Sequence, residues 1–114
     1  MKLAFLCHPV KYLKGSVRYY REVLGFEEAW QEGNHTVALK LPDSDVQLML
    51  EDDGDGFPAG GVFIVDSVDR YYEENSTLEF VKEPCDIPPG RFAIFQDKSG
   101  NPIRIIDKSK ELKG

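Results

Sequence analysis

The chain has 114 residues, enough for one domain with a single buried core. Hydrophobic residues make up 41% and charged residues 30%, the composition of an ordinary globular chain. The net charge of −6 excludes a sequence-independent grip on nucleic acid, and no apolar run approaches the ~20 residues of a membrane span.

The opening MKLAFLC sets Lys2 ahead of an apolar stretch, as a signal peptide would. His8 and Pro9 interrupt it too early for a signal-peptide core, so the start is expected to be mature protein. Cys7 and Cys85 lack metal-type spacing, and two thiols in a chain without disulfides fit a reducing cytoplasm. LAFLCHPV reads as the first strand. A helix is expected next in SVRYYREVLGF, with Ser16 as N-cap, Val17, Tyr20 and Leu24 at helical spacing, and Gly25 as the left-handed stop. Three strand-like runs follow, EEAWQEG, HTVALKL and DVQLMLE, parted by turns at Gly33-Asn34 and Pro42-Asp43-Ser44. The acidic stretch EDDGDGFPAGG, about 51–61, reads as a solvated linker. It lacks the bidentate Glu of a calcium loop at the twelfth place, which is Val62.

The pattern then repeats. GVFIVD reads as a strand, and SVDRYYEENSTLEF repeats the helix signal, with Asp66 or Ser67 as cap and Asn75-Ser76 as stop. EFVKEP, GRFAIFQD and PIRIID supply three more strands, separated by Pro88-Pro89-Gly90 and Lys98-Ser99-Gly100-Asn101. One supersecondary unit written twice predicts an α+β fold of two tandem βαβββ modules, about 1–52 and 60–108, with mixed sheets. A ferredoxin-like βαββαβ sandwich would need two strands between the helices, and the Gly33-Asn34 turn argues for three.

VKYLKGSVRYYREVLGF resembles the opening V-x-D-L-x-x-S-x-x-F-Y-x-x-x-L-G-F of vicinal oxygen chelate proteins, the glyoxalase, bleomycin-resistance and extradiol-dioxygenase superfamily. FQDKSGNPIRIID resembles the same family's closing F-x-D-P-D-G-N-x-I-E-L, and the resemblance covers essentially the whole chain. It implies two βαβββ modules whose cupped sheets surround a ligand site, often completed by a second subunit. It also implies where a divalent metal would be held, by four side chains from the first and last strands of both modules, usually His, Glu or Gln, His and Glu. Counted from the motifs, those positions fall at Phe5, Gln47, Gly60 and Arg104. Gln47 alone has a donor for a metal, and Arg104 would repel one. No resident cofactor is therefore expected, unless a divalent metal sits at a displaced site. His8 is expected on the opposite face from Phe5, towards the helix, and His35 beside an exposed turn. Both read as structural.

The remaining candidates are pocket residues. Cys7, Met49, Glu51 and Gln47 share the inward parity of Phe5, with Gly60 and Arg104 contributed by the second module and Arg91 of undecided facing. Without a histidine on its face, Cys7 reads as a small core residue rather than a nucleophile. Arg104 is expected to face the pocket between Ile103 and Ile105, where its fork of donors suits an acidic ligand. The alternative is a pairing with Glu51 or a reach to solvent. These readings favour a metal-independent binder of a small organic molecule. A glyoxalase- or dioxygenase-like enzyme with a displaced metal or none stays open. A homodimer is expected, with Trp30, Phe57 and Phe63 as candidate interface aromatics, and neither nucleic acid nor membrane as partner.

Overall fold

The computed structural model describes residues 1–111, which hold eight strands and two helices in the expected order. They divide into two compact units, residues 4–59 and residues 60 onward together with the first three. No helix among the described residues is long and apolar enough to cross a membrane.

Module one begins with β1 (Lys2–Pro9), whose alternation sends Leu6 and Val10 to one face and Phe5 and Cys7 to the other. Helix α1 (Leu13–Glu22) lays Leu13, Val17 and Tyr20 on the first of these faces, at helical spacing. It ends where Gly25 takes φ 75°, with Gly25 N–H donating to Arg21 O and Phe26 N–H to Tyr20 O. Phe26 then stacks on Tyr20 and turns the chain into β2 (Glu27–Glu32). Strands β3 (Thr36–Lys40) and β4 (Gln47–Glu51) complete the sheet, and β4 returns parallel to β1. Within the module the order is β2-β3-β4-β1. Val37, Leu39, Leu48 and Leu50 close the core under α1, each such burial contributing about 1.5–3 kcal/mol.

Module two repeats this with β5 (Gly60–Ile64), α2 (Val68–Glu74), β6 (Glu79–Ile87), β7 (Gly90–Gln96) and β8 (Pro102–Ile106), in the order β5-β8-β7-β6. Its core joins Val65, Val68, Ala93, Phe95 and Ile105, flanked by Phe63, Tyr71 and Phe80. Strand β6 runs past Pro84, where the sequence pattern ends it, to Ile87. Two register shifts interrupt its pairing with β7, and the one between Lys82 and Cys85 spans the proline, which an edge strand tolerates because its missing N–H breaks no ladder. Three strands follow each helix, so the ferredoxin-like alternative fails.

Two helix expectations need correcting. Ser16 lies inside α1, whose N-cap is Tyr12 and makes no side-chain cap hydrogen bond. Ser67 does cap α2, accepting from Arg70 N–H at 3.1 Å. The true repeat is fixed by the backbone. Val10 N–H donates to Glu51 O and Val65 N–H to Ile106 O, so counterparts lie 55 positions apart (10 to 65, 51 to 106). On that spacing Tyr12 matches Ser67 and Leu13 matches Val68. The written Ser-Val repeat is out by one helical turn.

Candidate functional site

The face of module one away from α1 gathers most of the expected pocket residues. Strand registers lay out a row, Trp30, Ala38, Met49, Cys7, across the four strands. Lys40, Gln47 and Phe5 form the row on one side of it, and Thr36, Glu51 and Pro9 the row on the other. The rings of Phe5 and Trp30 meet edge to face at 5.7 Å, and the Trp30 indole N–H donates to Gln47 Oε1 at 3.0 Å. Buried Ala38 leaves the space between strands that these larger neighbours use.

Glu51 is the polar centre of this face. The Cys7 thiol donates to its Oε1 at 3.5 Å and the Thr36 hydroxyl to its Oε2 at 3.3 Å. Burial pushes the Glu51 carboxyl above its ordinary value. The hydrogen bonds from Cys7 and Thr36 hold it back in part, while the charges of Asp55 and Asp53 add to the rise. A half-buried carboxyl tuned this way can accept a ligand proton, or keep its own and donate it.

Sequence reasoning missed Thr36 and Ala38 and gave Trp30 a different role. The alternation of HTVALKL marks the first two. Trp30 was hidden by a bulge between Glu28 and Trp30, which reverses the parity along β2. Phe63, offered above as an interface aromatic, packs into the core of module two instead.

In module two, Ile103 and Ile105 face α2 and Arg104 faces away from it, as the alternation requires. Arg104 lies between Val62 and Ile94 in the sheet and is 1% exposed, so it does not reach out to solvent. A Cβ at Gly60 would stand 3.2 Å from its Nη1. The guanidinium therefore lies beside the space that a side chain at residue 60 would take, and only glycine leaves that space clear. Arg91 is different from the other candidates. It shares the parity of Ala93 and Phe95, and its guanidinium bonds Asp69 of α2 and Asp86 of β6. That places it on the helix side, away from Arg104.

The 55-residue spacing also revises the metal positions. It pairs Phe5 with Gly60, as counted above, but it pairs Arg104 with Met49, not with Gln47. Cys7 faces Met49 in β4 as Val62 faces Arg104 in β8. Gln47 points to the same face two residues earlier, and its Oε1 already accepts from Trp30. Phe5, Met49, Gly60 and Arg104 supply no carboxylate and no imidazole, so the residues present do not fit a hard divalent cation. Among the described residues, His35, Asp52 and Asp53 bring ligand-type atoms within 4.8 Å of one another, and all three are exposed.

Relatives of this fold are numerous and distant. The chain is similar to a structure described as NAD-dependent benzaldehyde dehydrogenase from Legionella pneumophila, with 16% identity, 91% of this chain and 97% of that chain covered, and TM-score 0.77. It is similar to methylmalonyl-CoA epimerase from Mycobacterium tuberculosis at 18% identity, 97% and 90% coverage, and TM-score 0.75. A variant Streptomyces coelicolor methylmalonyl-CoA epimerase in complex with 2-nitronate-propionyl-CoA gives 17% identity, 96% and 95% coverage, and TM-score 0.74. At such identities the likeness extends to the fold alone. No curated protein matches the chain by sequence. The model of the Glyoxalase/Bleomycin resistance protein/Dioxygenase superfamily matches residues 2–105, and with both βαβββ modules in place the chain belongs to that superfamily.

Proposed function

We propose that this chain binds a small organic molecule against the helix-free face of its sheets, without a metal at the family's ligand positions. The observation that carries this reading is the replacement of those positions by Phe5 and Met49 in module one and by Gly60 and Arg104 in module two, together with a module-one face that offers an aromatic pair and few polar anchors. Apolar walls with a small number of placed polar groups suit a ligand pocket. Phe5 and Trp30 would grip a flat or apolar part of the ligand, and Gln47 and Glu51 would fix its orientation. Taken by itself, module two is proposed to anchor an acidic group at Arg104, and the burial of its guanidinium means such a group must approach closely to reach it. A reducing cytoplasm fits the thiols of Cys7 and Cys85.

Trp30 is the single tryptophan, so its emission reports on the face directly. Screening small acids, amines and neutral aromatics by Trp30 fluorescence, with and without chelator, tests the proposal. Saturable quenching that survives chelation is expected. Stoichiometric nickel, zinc, manganese or iron in the purified protein, with quenching lost on chelation, would overturn it.

A metal-free enzyme of the same superfamily is the second reading, and the raised Glu51 carboxyl favours it. Its test is turnover rather than binding. A ligand found by quenching should emerge chemically changed, and Glu51→Gln should abolish the change while leaving the quenching.

A further inference from the structure

The helix-free face of module one is sorted by charge. Its row of Thr36, Glu51 and Pro9 continues on β2 to Glu32, which pairs with Thr36 and stands on the same face as Trp30. Two carboxylates therefore share this end, Glu51 half-buried and Glu32 exposed. Lys40 lies at the far end of β3 from Thr36, about 13 Å away at the rise of a strand. Nothing positive offsets Glu51. The groups that act on its carboxyl are the donors Cys7 and Thr36 and the acids Asp53 and Asp55, with no cation among them. Among the described residues no ion pair within 4.0 Å includes it. A half-buried carboxylate without a cation is costly, and each of its oxygens holds one long, uncharged donor, which leaves acceptor capacity on both.

This arrangement selects its occupant. Phe5, Trp30, Gln47, Met49, Thr36 and Glu51 are all half-buried, over a floor of buried Ala38 and Cys7, so these six are the groups a ligand touches. Along β4, apolar Met49 separates Glu51 from Gln47, and the aromatic pair lies at the Gln47 end. An acid is repelled by Glu51, Glu32 and Asp53. A bare metal ion fits poorly, because a hard cation needs several oxygens round one point and the neighbours of Glu51 are a thiol and a hydroxyl. A protonated amine supplies the missing charge and donates to the open acceptors, and its carbon body suits Met49 and the rings. We propose that module one takes an organic amine, its ammonium held by Glu51 and the Thr36 hydroxyl oxygen and its apolar body laid across Met49 onto the Phe5–Trp30 pair. This rests on the reading that the face binds a small molecule, and it names the class of molecule.

The test titrates phenylbutylamine and phenylhexylamine against the alcohols of the same lengths, by Trp30 emission and calorimetry with chelator present. The amines should bind roughly tenfold or more tightly than the alcohols, the excess of a charge-assisted hydrogen bond over a neutral one. Glu51→Gln should bring the amines down to the alcohols and leave the alcohols unchanged. In the catalytic reading the same variant leaves binding intact, so the result separates an anchor from a proton-transfer group. Unchanged melting checks the fold of the variant, and the amine–alcohol comparison in the parent needs no variant at all. Alcohols bound as tightly as amines by the parent would overturn the inference and leave the binding reading standing. So would an amine preference that survives in Glu51→Gln. If no probe saturates the parent, the inference and the reading beneath it fall together.

Discussion

After its last strand, module two places Asp107, and after its last strand module one places Asp52, the counterpart 55 positions earlier. Both backbone N–H groups close the same hairpin, Asp107 donating to Arg91 O and Asp52 to His35 O. Their side chains diverge. Asp107 is 1% exposed and accepts from Val68 N–H, Arg91 N–H and both the N–H and hydroxyl of Ser109. Asp52 points to the surface and meets exposed His35 at 2.7 Å. One position has become the hub that ties α2 to β7 and β8, and the other a solvated pair. A short helix of seven residues needs such help, whereas α1 with ten forms with no side-chain cap.

The sharpest way to break this comparison is to remove both carboxylates in turn. Asp107→Ala strands the buried backbone donor of Val68 and the part-buried donors of Arg91 and Ser109, and should cost roughly 3 kcal/mol in denaturant unfolding. Asp52→Ala should cost less than about 0.5 kcal/mol, as an exposed surface change. Equal losses would show that the hub is no more than a second surface contact. The acid limb gives an independent sign. Burial raises the Asp107 carboxyl, but the hydrogen bonds from Val68, Ser109 and Arg91 outweigh it, so it titrates below its ordinary value. A depressed folded pKa stabilises above the unfolded value, about 4, and that stability is lost as pH falls through the lowered folded value. Asp107→Ala should therefore flatten the decline in stability below about pH 4.

Gly90 sharpens the same point. A Cβ there would overlap Asp107 Oδ1 and stand 2.6 Å from Asp107 O. The hub leaves room only for glycine, and Gly90→Ala should cost about 1–3 kcal/mol by forcing the carboxylate aside. An unchanged midpoint would mean that β7 shifts freely.

The helices offer a smaller contrast. Ser67 caps α2, so Ser67→Ala should lose about 1 kcal/mol. Ser16 sits within α1, where alanine is the better helix former, so Ser16→Ala should be neutral or gain a few tenths, about 0.5 kcal/mol at most. Equal costs would restore the sequence repeat as the structural one.

That slip shows which features are legible in a sequence. Strands announce themselves by alternation and helices by an apolar stripe, so the element order and both βαβββ modules follow from pattern alone. A shift of four residues is little more than one turn, which keeps the stripe on the same side, so Ser16 passed for the counterpart of Ser67. The metal positions slipped similarly. Gln47 and Met49 share a face, and alternation cannot tell them apart; the pairing of Met49 with Cys7 does. Trp30 was lost to a bulge and Arg91 to an undecided parity, both of which depend on what lies across the sheet. Local pattern gives the face, and long-range register gives the residue.

The last contrast is in the exposed pair itself. The hydrogen bond to Asp52 raises the His35 pKa above its ordinary 6.5, the charges of Asp53 and Asp52 add to it, and slight desolvation opposes. A raised folded value stabilises fully below the unfolded pKa and loses that contribution as pH rises through the folded one, the reverse of Asp107. The His35 imidazole and the Asp52 carboxylate are both at the surface, so the expected effect is on titration rather than on melting. Following the His35 ring resonances by NMR should give a midpoint above 6.5 in the parent and a lower one in Asp52→Asn, which keeps the shape and removes the charge. A His35 midpoint that is the same in both would mean that the 2.7 Å contact does not persist in solution, and that the two modules differ by more than the burial of one aspartate.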